Sequence, residues 1–326
     1  MKVSVLVVSR TAARLNEALA SLDKAYSGST AELEVLISWN GTRRERSRVC
    51  QDQRFQLQLF EQTPYHFAAN VNALARLARG DVLVLLNDDV ILDAAALDAA
   101  LLVMADEAVA VVGGRLRTRQ GLISHIGIAF DPRHSAYHRL RHFPHDCEPA
   151  LRAGPVPAVT GALLAVRRQE FLAIGLNERY RVCGEDVEFC LRLRAIGRMI
   201  WYCPAASGIH DGEATRSEVP GQQPDPEDQE RLRQVHQEFL VEARPEALKL
   251  EWFSLAEECD HLRRQAASAE SPPQGGWVSR LEELTLQLAR AMLDLDDLRH
   301  HSEVQARTID SLQRHLLHER MDQEDP

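Results

Sequence analysis

The sequence predicts an α/β fold, a mostly parallel sheet flanked by helices, with a C-terminal helical and coiled-coil extension. Three observations carry this expectation. Over the first 115 residues, short apolar runs alternate with segments of helical periodicity. Several of those runs are continuously apolar, as strands covered on both faces require. Residues 281–316 carry a heptad pattern.

Val3–Val8 is the first buried strand, and Leu15, Ala18, Leu19 and Leu22 follow at helical spacing. Leu33–Ser38 is a second strand, ending at the turn signal Asn40-Gly41. Phe55–Phe60 alternates as a third. Phe67–Ala78 reads as a helix closed by Gly80, and Val82–Leu86 as a fourth strand leading straight into Asn87-Asp88-Asp89. Ala94–Met104 is helical and Val109–Val112 a short strand. Leu122–Phe130 suggests a strand pair, and Arg133–His145 a polar loop dense in His and Arg. Val156–Val166 restores regularity around Gly161, and Arg168–Ile174 is helix-like up to Gly175. Gly184-Glu185-Asp186 then opens an amphipathic helix with Val187, Leu191 and Ala195. Arg198–Cys203 is a last strand, before Ile209-His210-Asp211-Gly212.

Residues 1–219 form the expected main domain, 220–270 a linker with a helical segment (Arg231–Ala267), and 271–326 a segment for oligomerisation or docking. Pro220–Pro226 is linker-like in composition, and Ser271–Gly276 is a second break. From Leu281 as position a, the a/d series runs through Leu284, Leu288, Ala291, Leu295, Leu298, Ser302, Gln305, Ile309 and Leu312 to Leu316, apolar except at Ser302 and Gln305. Those heptads predict a homodimer or a helical partner.

The chain has 326 residues, 45% hydrophobic and 26% charged, which excludes a disordered chain. Its net charge of −10 is uneven: residues 221–326 hold 23 acidic against 12 basic side chains, while residues 1–220 are near balance. No dominant basic surface is available, so nucleic acid is excluded as a partner. No apolar run reaches the roughly 18 residues that would span a bilayer. A cytoplasmic placement is expected, with peripheral attachment at the inner membrane face as an option. The six cysteines lack CxxC spacing, so reduced thiols are expected, and a zinc site from Cys183, Cys190 and Cys203 is disfavoured.

Two adjacent carboxylates at a strand's carboxyl end are costly to hold together unless a cation or hydrogen-bond donors offset them. Mg²⁺ or Mn²⁺ prefers such oxygens and brings substrate phosphates with it. A solvated helix cap explains Asp88 and Asp89 equally well. Asp186 suits either a first-turn dipole contact or a general base. Glu188 and Arg192, at i and i+4, read as a surface pair. His210 gains meaning only in company, as the completion of a metal shell begun by a carboxylate.

In order and spacing, these segments resemble the inverting, metal-dependent glycosyltransferases of family 2, with the rhamnosyltransferase-like bacterial subgroup as the best fit. The resemblance rests on Val3–Arg10, Leu33–Thr42, His66–Asn72, Gly80–Asp89, Val159–Ala162, Gly175–Tyr180, Gly184–Arg194 and His210, and covers about residues 1–216. It implies the GT-A fold, a Rossmann-like sheet, and a divalent cation. Asp89 and His210 would hold that metal. Val8, Ser9, Arg10, Trp39, Asn40, Asn72, Asn87, Asp88, Gly161 and Ala162 would bind the nucleotide sugar. Asp186 would be the catalytic base and Glu185 its assistant. The implied partners are a UDP- or dTDP-sugar and a glycan or glycolipid acceptor. Trp39 departs from the family, which usually has an acid there; the indole either stacks on a base or packs in the core. His134, His138 and His142, four residues apart, would share a helical face, but the segment around them is better read as a basic lid over the diphosphate. A non-catalytic coiled-coil assembly protein and a sugar-phosphate nucleotidyltransferase are the alternatives. The second lacks its glycine-rich loop here, since Ser9-Arg10-Thr11-Ala12-Ala13 contains no glycine.

Overall fold

The computed structural model describes residues 1–29, 32–62, 64–131, 133–210, 225–242 and 245–268. The heptads, the break at 271–276 and most of the linker lie outside them. The first half of the domain holds β1 (Val3–Ser9), α1 (Ala12–Ala25), β2 (Leu33–Trp39), α2 (Arg43–Arg46), β3 (Gln56–Glu61), α3 (Phe67–Leu77), β4 (Val82–Asn87), β5 (Val90–Leu92) and α4 (Ala96–Val103). Next come β6 (Val109–Arg117), β7 (Ile123–His125), β8 (Ile128–Phe130), β9 (Ala136–His138), α5 (Glu148–Leu151), β10 (Gly154–Pro155), β11 (Leu163–Arg167) and α6 (Arg168–Ile174). The chain continues through α7 (Glu185–Ala195), β12 (Met199–His210), α8 (Pro226–Glu242) and α9 (Pro245–Ser268). It divides into two units, Met1–Glu258 and Cys259–Pro326.

The main sheet runs β10-β12-β6-β11-β4-β1-β2-β3, with β5 on β12 and β7 on β6. β1 is parallel to β2 and β4, β2 to β3, and β12 to β6, while β11 lies antiparallel between β4 and β6. β1 and β2 are buried along their whole length because helices cover both faces. Each fully covered Val or Leu contributes roughly 1.5–3 kcal/mol. β3 is only partly buried because it is the sheet edge.

The register sets the site. Ser9 pairs with Trp39, and Val8 with Asn87, so β1, β2 and β4 end at one rim. The antiparallel pairing of Leu163 with Leu86 brings the start of β11 to the same rim.

The strands beyond this core differ from the sequence expectations. β6 continues past Val112 to Arg117, and β12 past Cys203 to His210. Gly113 and Gly114 within β6 permit close approach of its neighbours. A Cβ on Gly113 would lie 2.4 Å from the Val159 side chain, and one on Gly114 2.2 Å from the Ala206 carbonyl oxygen. The expected pair in 122–130 does not form: β7 pairs with β6 and β8 with β9. Gly127, at φ +110°, turns the chain between them. The helix expected over 231–267 is two helices, the second opening on Pro245, which suits a first helical position.

Candidate active site

β12 turns back on β5 so that His210 stands opposite Val90, the residue after Asp89. His210 Nε2 is consequently 3.3 Å from Asp89 Oδ1, with both side chains largely covered. An imidazole nitrogen and a carboxylate oxygen are a donor pair suited to Mn²⁺, and acceptably to Mg²⁺. Among the described residues no cluster of three His, Cys, Asp or Glu could hold a metal, so a cation here would take its other donors from ligand and water. Asp88 accepts from the Ser9 hydroxyl at 2.7 Å. Burial pushes its carboxyl up to about 6, with Asp89 adding to the rise and the Ser9 hydrogen bond opposing it.

Asp186 reaches the rim from α7. Its Oδ2 accepts from Gly161 N–H at 2.7 Å and its Oδ1 from Val187 N–H at 2.9 Å. Gly161 precedes Ala162, whose carbonyl accepts from Asn87 N–H at 3.0 Å. One short segment thus links the carboxylate of α7 to the end of β4. Gly161 lies directly against this carboxylate: a Cβ there would sit in ordinary van der Waals contact with Asp186, 3.6 Å from its Oδ2. Gly184 starts α7 at φ +110°, and an added Cβ would meet the Tyr180 ring at 2.8 Å, so both backbone and space require glycine. Glu185 is buried beside Asp186. The Glu188–Arg192 surface pair does not exist. Glu188 is buried and accepts from Asn177 Nδ2 at 3.0 Å, while Arg192 donates to the Ile174 carbonyl.

The remaining residues assigned to the nucleotide sugar divide. Val8 and Ser9 lie at the rim beneath Asp88, and Arg10 stacks its guanidinium over Tyr65, 5.8 Å from the ring centroid. Asn40 closes the β2 turn, its backbone N–H donating to Ser9 and its side-chain amide to Gln62. Trp39 takes the core alternative. It is 2% exposed, and its indole N–H donates to the Thr42 carbonyl at 3.3 Å, so it offers no face for a base. Asn72 is likewise engaged by the protein itself. It is buried, its Oδ1 accepting from Leu176 N–H and its Nδ2 donating to the Leu176 carbonyl and Glu178, all at 2.9 Å.

The histidine-rich segment forms no helix, since His134, Leu140 and His142 have positive φ. His134 meets His236 at 3.1 Å and His138 meets His125 at 2.9 Å, so the three spaced histidines do not converge on a metal. Nor is the segment a free basic loop. Arg139 is buried against Glu257, Tyr137 donates to Glu258 at 2.8 Å, and Arg233 donates to Ser135 at 3.0 Å. Cys190 and Cys203 pack against the Val159 and Ala99 carbonyls respectively.

His125 was not among the sequence candidates, although its apolar flanks Ile123 and Ile126 signal burial. Its Nε2 accepts from Gly127 N–H at 3.2 Å and Thr160 N–H at 3.3 Å, holding the segment that carries Gly161. Burial, then the nearby His138 and His210, keep it neutral. Its proton must therefore sit on Nδ1 and be donated to His138 Nδ1.

The family described as Glycosyltransferase like family 2 matches residues 2–237. The chain is similar to the O-antigen biosynthesis protein RfbC of Myxococcus xanthus, 28% identical over 201 residues, covering 56% of this chain and 15% of that one. It is 32% identical over 178 residues to the uncharacterized protein y4gI of Sinorhizobium fredii, covering 52% and 19% respectively. It thus spans less than a fifth of either relative's length. Among solved structures, the mannosyltransferase PcManGT from Pyrobaculum calidifontis, in complex with GDP-Man and Mn²⁺, superposes with a TM-score of 0.52 at 18% identity, covering 90% of this chain and 87% of that one. GalNAc-T7, solved with UDP, GalNAc and Mn²⁺, gives a TM-score of 0.53 at 14% identity, covering 84% and 58%. At such identities the likeness is one of fold. Sheet order, rim and family match agree: the chain belongs to glycosyltransferase-like family 2 and has the GT-A fold.

Proposed function

We propose that this chain transfers a sugar, with inversion, from a nucleoside-diphosphate sugar to a hydroxyl of a glycan or glycolipid. The observation that carries the reading is the Asp89–His210 pair on the same rim as Asp186. Asp186 takes the acceptor's hydroxyl proton. The freed oxygen forms a bond to the anomeric carbon from the face opposite the diphosphate. The bond from that carbon to the diphosphate oxygen breaks, and its electron pair leaves with the diphosphate. Asp186 is held in place for this by the Gly161 and Val187 amides. Asp89 and His210 would hold a divalent cation, which when bound would offset the charge on the leaving diphosphate. Asp88, fixed by Ser9, faces the sugar or ribose hydroxyls, and Gly161 and Ala162 floor the sugar pocket. UDP- or dTDP-sugars are the proposed donors. With Trp39 in the core, base contacts fall to the Asn40 turn and the Arg10–Tyr65 pair. The relative described as an O-antigen biosynthesis protein supports a polysaccharide acceptor. Among the described residues no helix is long and apolar enough to cross a membrane.

The test is a panel of UDP-, GDP- and dTDP-sugars with Mn²⁺, read by thermal shift and by released nucleoside diphosphate. Asp186→Asn is expected to lose about 10²–10⁴-fold in turnover while keeping donor affinity. Asp89→Ala is expected to lose Mn²⁺ and donor binding together. Near-normal turnover by Asp186→Asn would remove the base assignment, and metal-independent binding by the wild type would remove the metal.

A further inference from the structure

Asp186 follows a stretch, residues 179–184, without helix or strand of its own. What fixes that stretch is α8. Asp228, in the first turn of α8, is 1% exposed. Its Oδ2 accepts from three consecutive backbone amides: Val182 at 2.7 Å, Arg181 at 2.9 Å and Cys183 at 3.3 Å. Its Oδ1 accepts from Arg181 N–H at 3.1 Å and from Arg231 Nη1 at 3.3 Å. Arg231 also donates to the Arg179 carbonyl at 3.1 Å and lies over the Tyr180 ring, 5.4 Å from its centroid. Leu232 stands 3.5 Å from where a Cβ of Gly184 would be. Every residue from 179 to 184 is therefore met by one face of α8.

Asp228 stands in the first turn of α8, where an acid suits the helix dipole. In the fold its oxygens face another segment's amides, the concave donor arrangement that binds anions elsewhere. We propose that Asp228 is a positioning residue for Asp186: it clamps the 181–183 amides, and so sets where α7 starts and where its base points. The inference rests on the reading of Asp186 as the base. A base must stand within hydrogen-bond reach of its proton, and a shift of about 1 Å can cost about 10²-fold. Without Asp228 the three amides turn to other partners and the start of α7 drifts.

The experiment compares Asp228→Ala, Asp228→Asn and Asp186→Asn in the full chain. Amide hydrogen exchange at 181–186, binding of UDP, GDP and dTDP with Mn²⁺, and release of nucleoside diphosphate from the matching sugars are measured. Asp228→Ala is expected to exchange at least tenfold faster at 181–186, to lose about 10²-fold in kcat, and to keep its nucleotide Kd and donor KM within about twofold. Asp228→Asn keeps one acceptor oxygen for these amides and recovers part of both losses. Wild-type exchange at 181–183, or wild-type turnover, in Asp228→Ala overturns the inference. So does a loss of nucleotide binding in step with kcat, which marks a purely structural role. If Asp186→Asn loses turnover while Asp228→Ala does not, only the positioning inference fails. If Asp186→Asn keeps turnover, the base assignment itself fails.

Discussion

Glu34 shows how a charged side chain can lie in a buried strand. Its neighbours on β2 are all covered, and it is 7% exposed itself. It accepts from the Ser4 hydroxyl at 2.6 Å, from Arg79 N–H at 2.7 Å, and from the Arg79 guanidinium at 3.0 and 3.2 Å. Burial alone would raise its pKa, but these donors outweigh it and hold the carboxyl below its ordinary value. Its folded pKa is thus lower than its unfolded one. The stability it contributes is present above about pH 4.5 and is lost as pH falls through the folded value. Glu34→Gln is expected to destabilise the domain by about 1–3 kcal/mol at pH 7. In urea titrations the gap to wild type narrows at pH 3.5, and an equal gap at both pH values would refute the account. Trp39 and Asn72 make the complementary point. Each stands where a motif names a ligand contact, and each is taken up by the interior, because an indole at a strand end or an amide within a helix serves packing as readily as binding.

At the scale of elements, the pairing of β6 with β12 decides the site. β12 follows β6 from Met199, shifts register between Cys203 and Ser207, and then delivers His210 beside β5. That shift depends on Gly114, where a Cβ would also lie 2.4 Å from Leu163 Cδ2. Gly114→Ala is expected to cost about 1–3 kcal/mol through overpacking. It should also weaken Mn²⁺-dependent nucleotide binding, because His210 is set by the same register. Wild-type stability and binding, by chemical denaturation and titration, would show that the strands can separate without consequence. Strands that are almost wholly apolar, such as β4, were legible in the sequence, because burial on both faces strongly favours one residue class. The long ends of β6 and β12 were not legible, since Gly113-Gly114 and the polar residues after them carry the same signal as a turn.

For the whole molecule, the acidic residues concentrate beyond residue 220 while the sheet domain is near neutral. The heptads 281–316 lie outside the described residues, and self-association through them is proposed from the sequence alone. Deleting residues 271–326 is expected to lower the oligomeric mass in light scattering while donor hydrolysis persists, since the rim residues all precede residue 211. An unchanged mass would dismiss the dimer.

The sequence by itself determined the strand–helix alternation, the carboxylates at the end of β4, the acidic start of α7, and the family. These are local: each follows from the periodicity of burial or from a motif within a few residues. Only the tertiary structure decided that His210 meets Asp89 across β5 and β12, that Trp39 and Asn72 are structural, and that Glu188 is buried. It alone placed Asp228 under the turn before Asp186. Three of these links, Asp89 to His210, Asn72 to Leu176 and Asp228 to Val182, join residues 121, 104 and 46 positions apart, and a partner at that distance is chosen by strand register and helix docking, which leave no trace in local pattern.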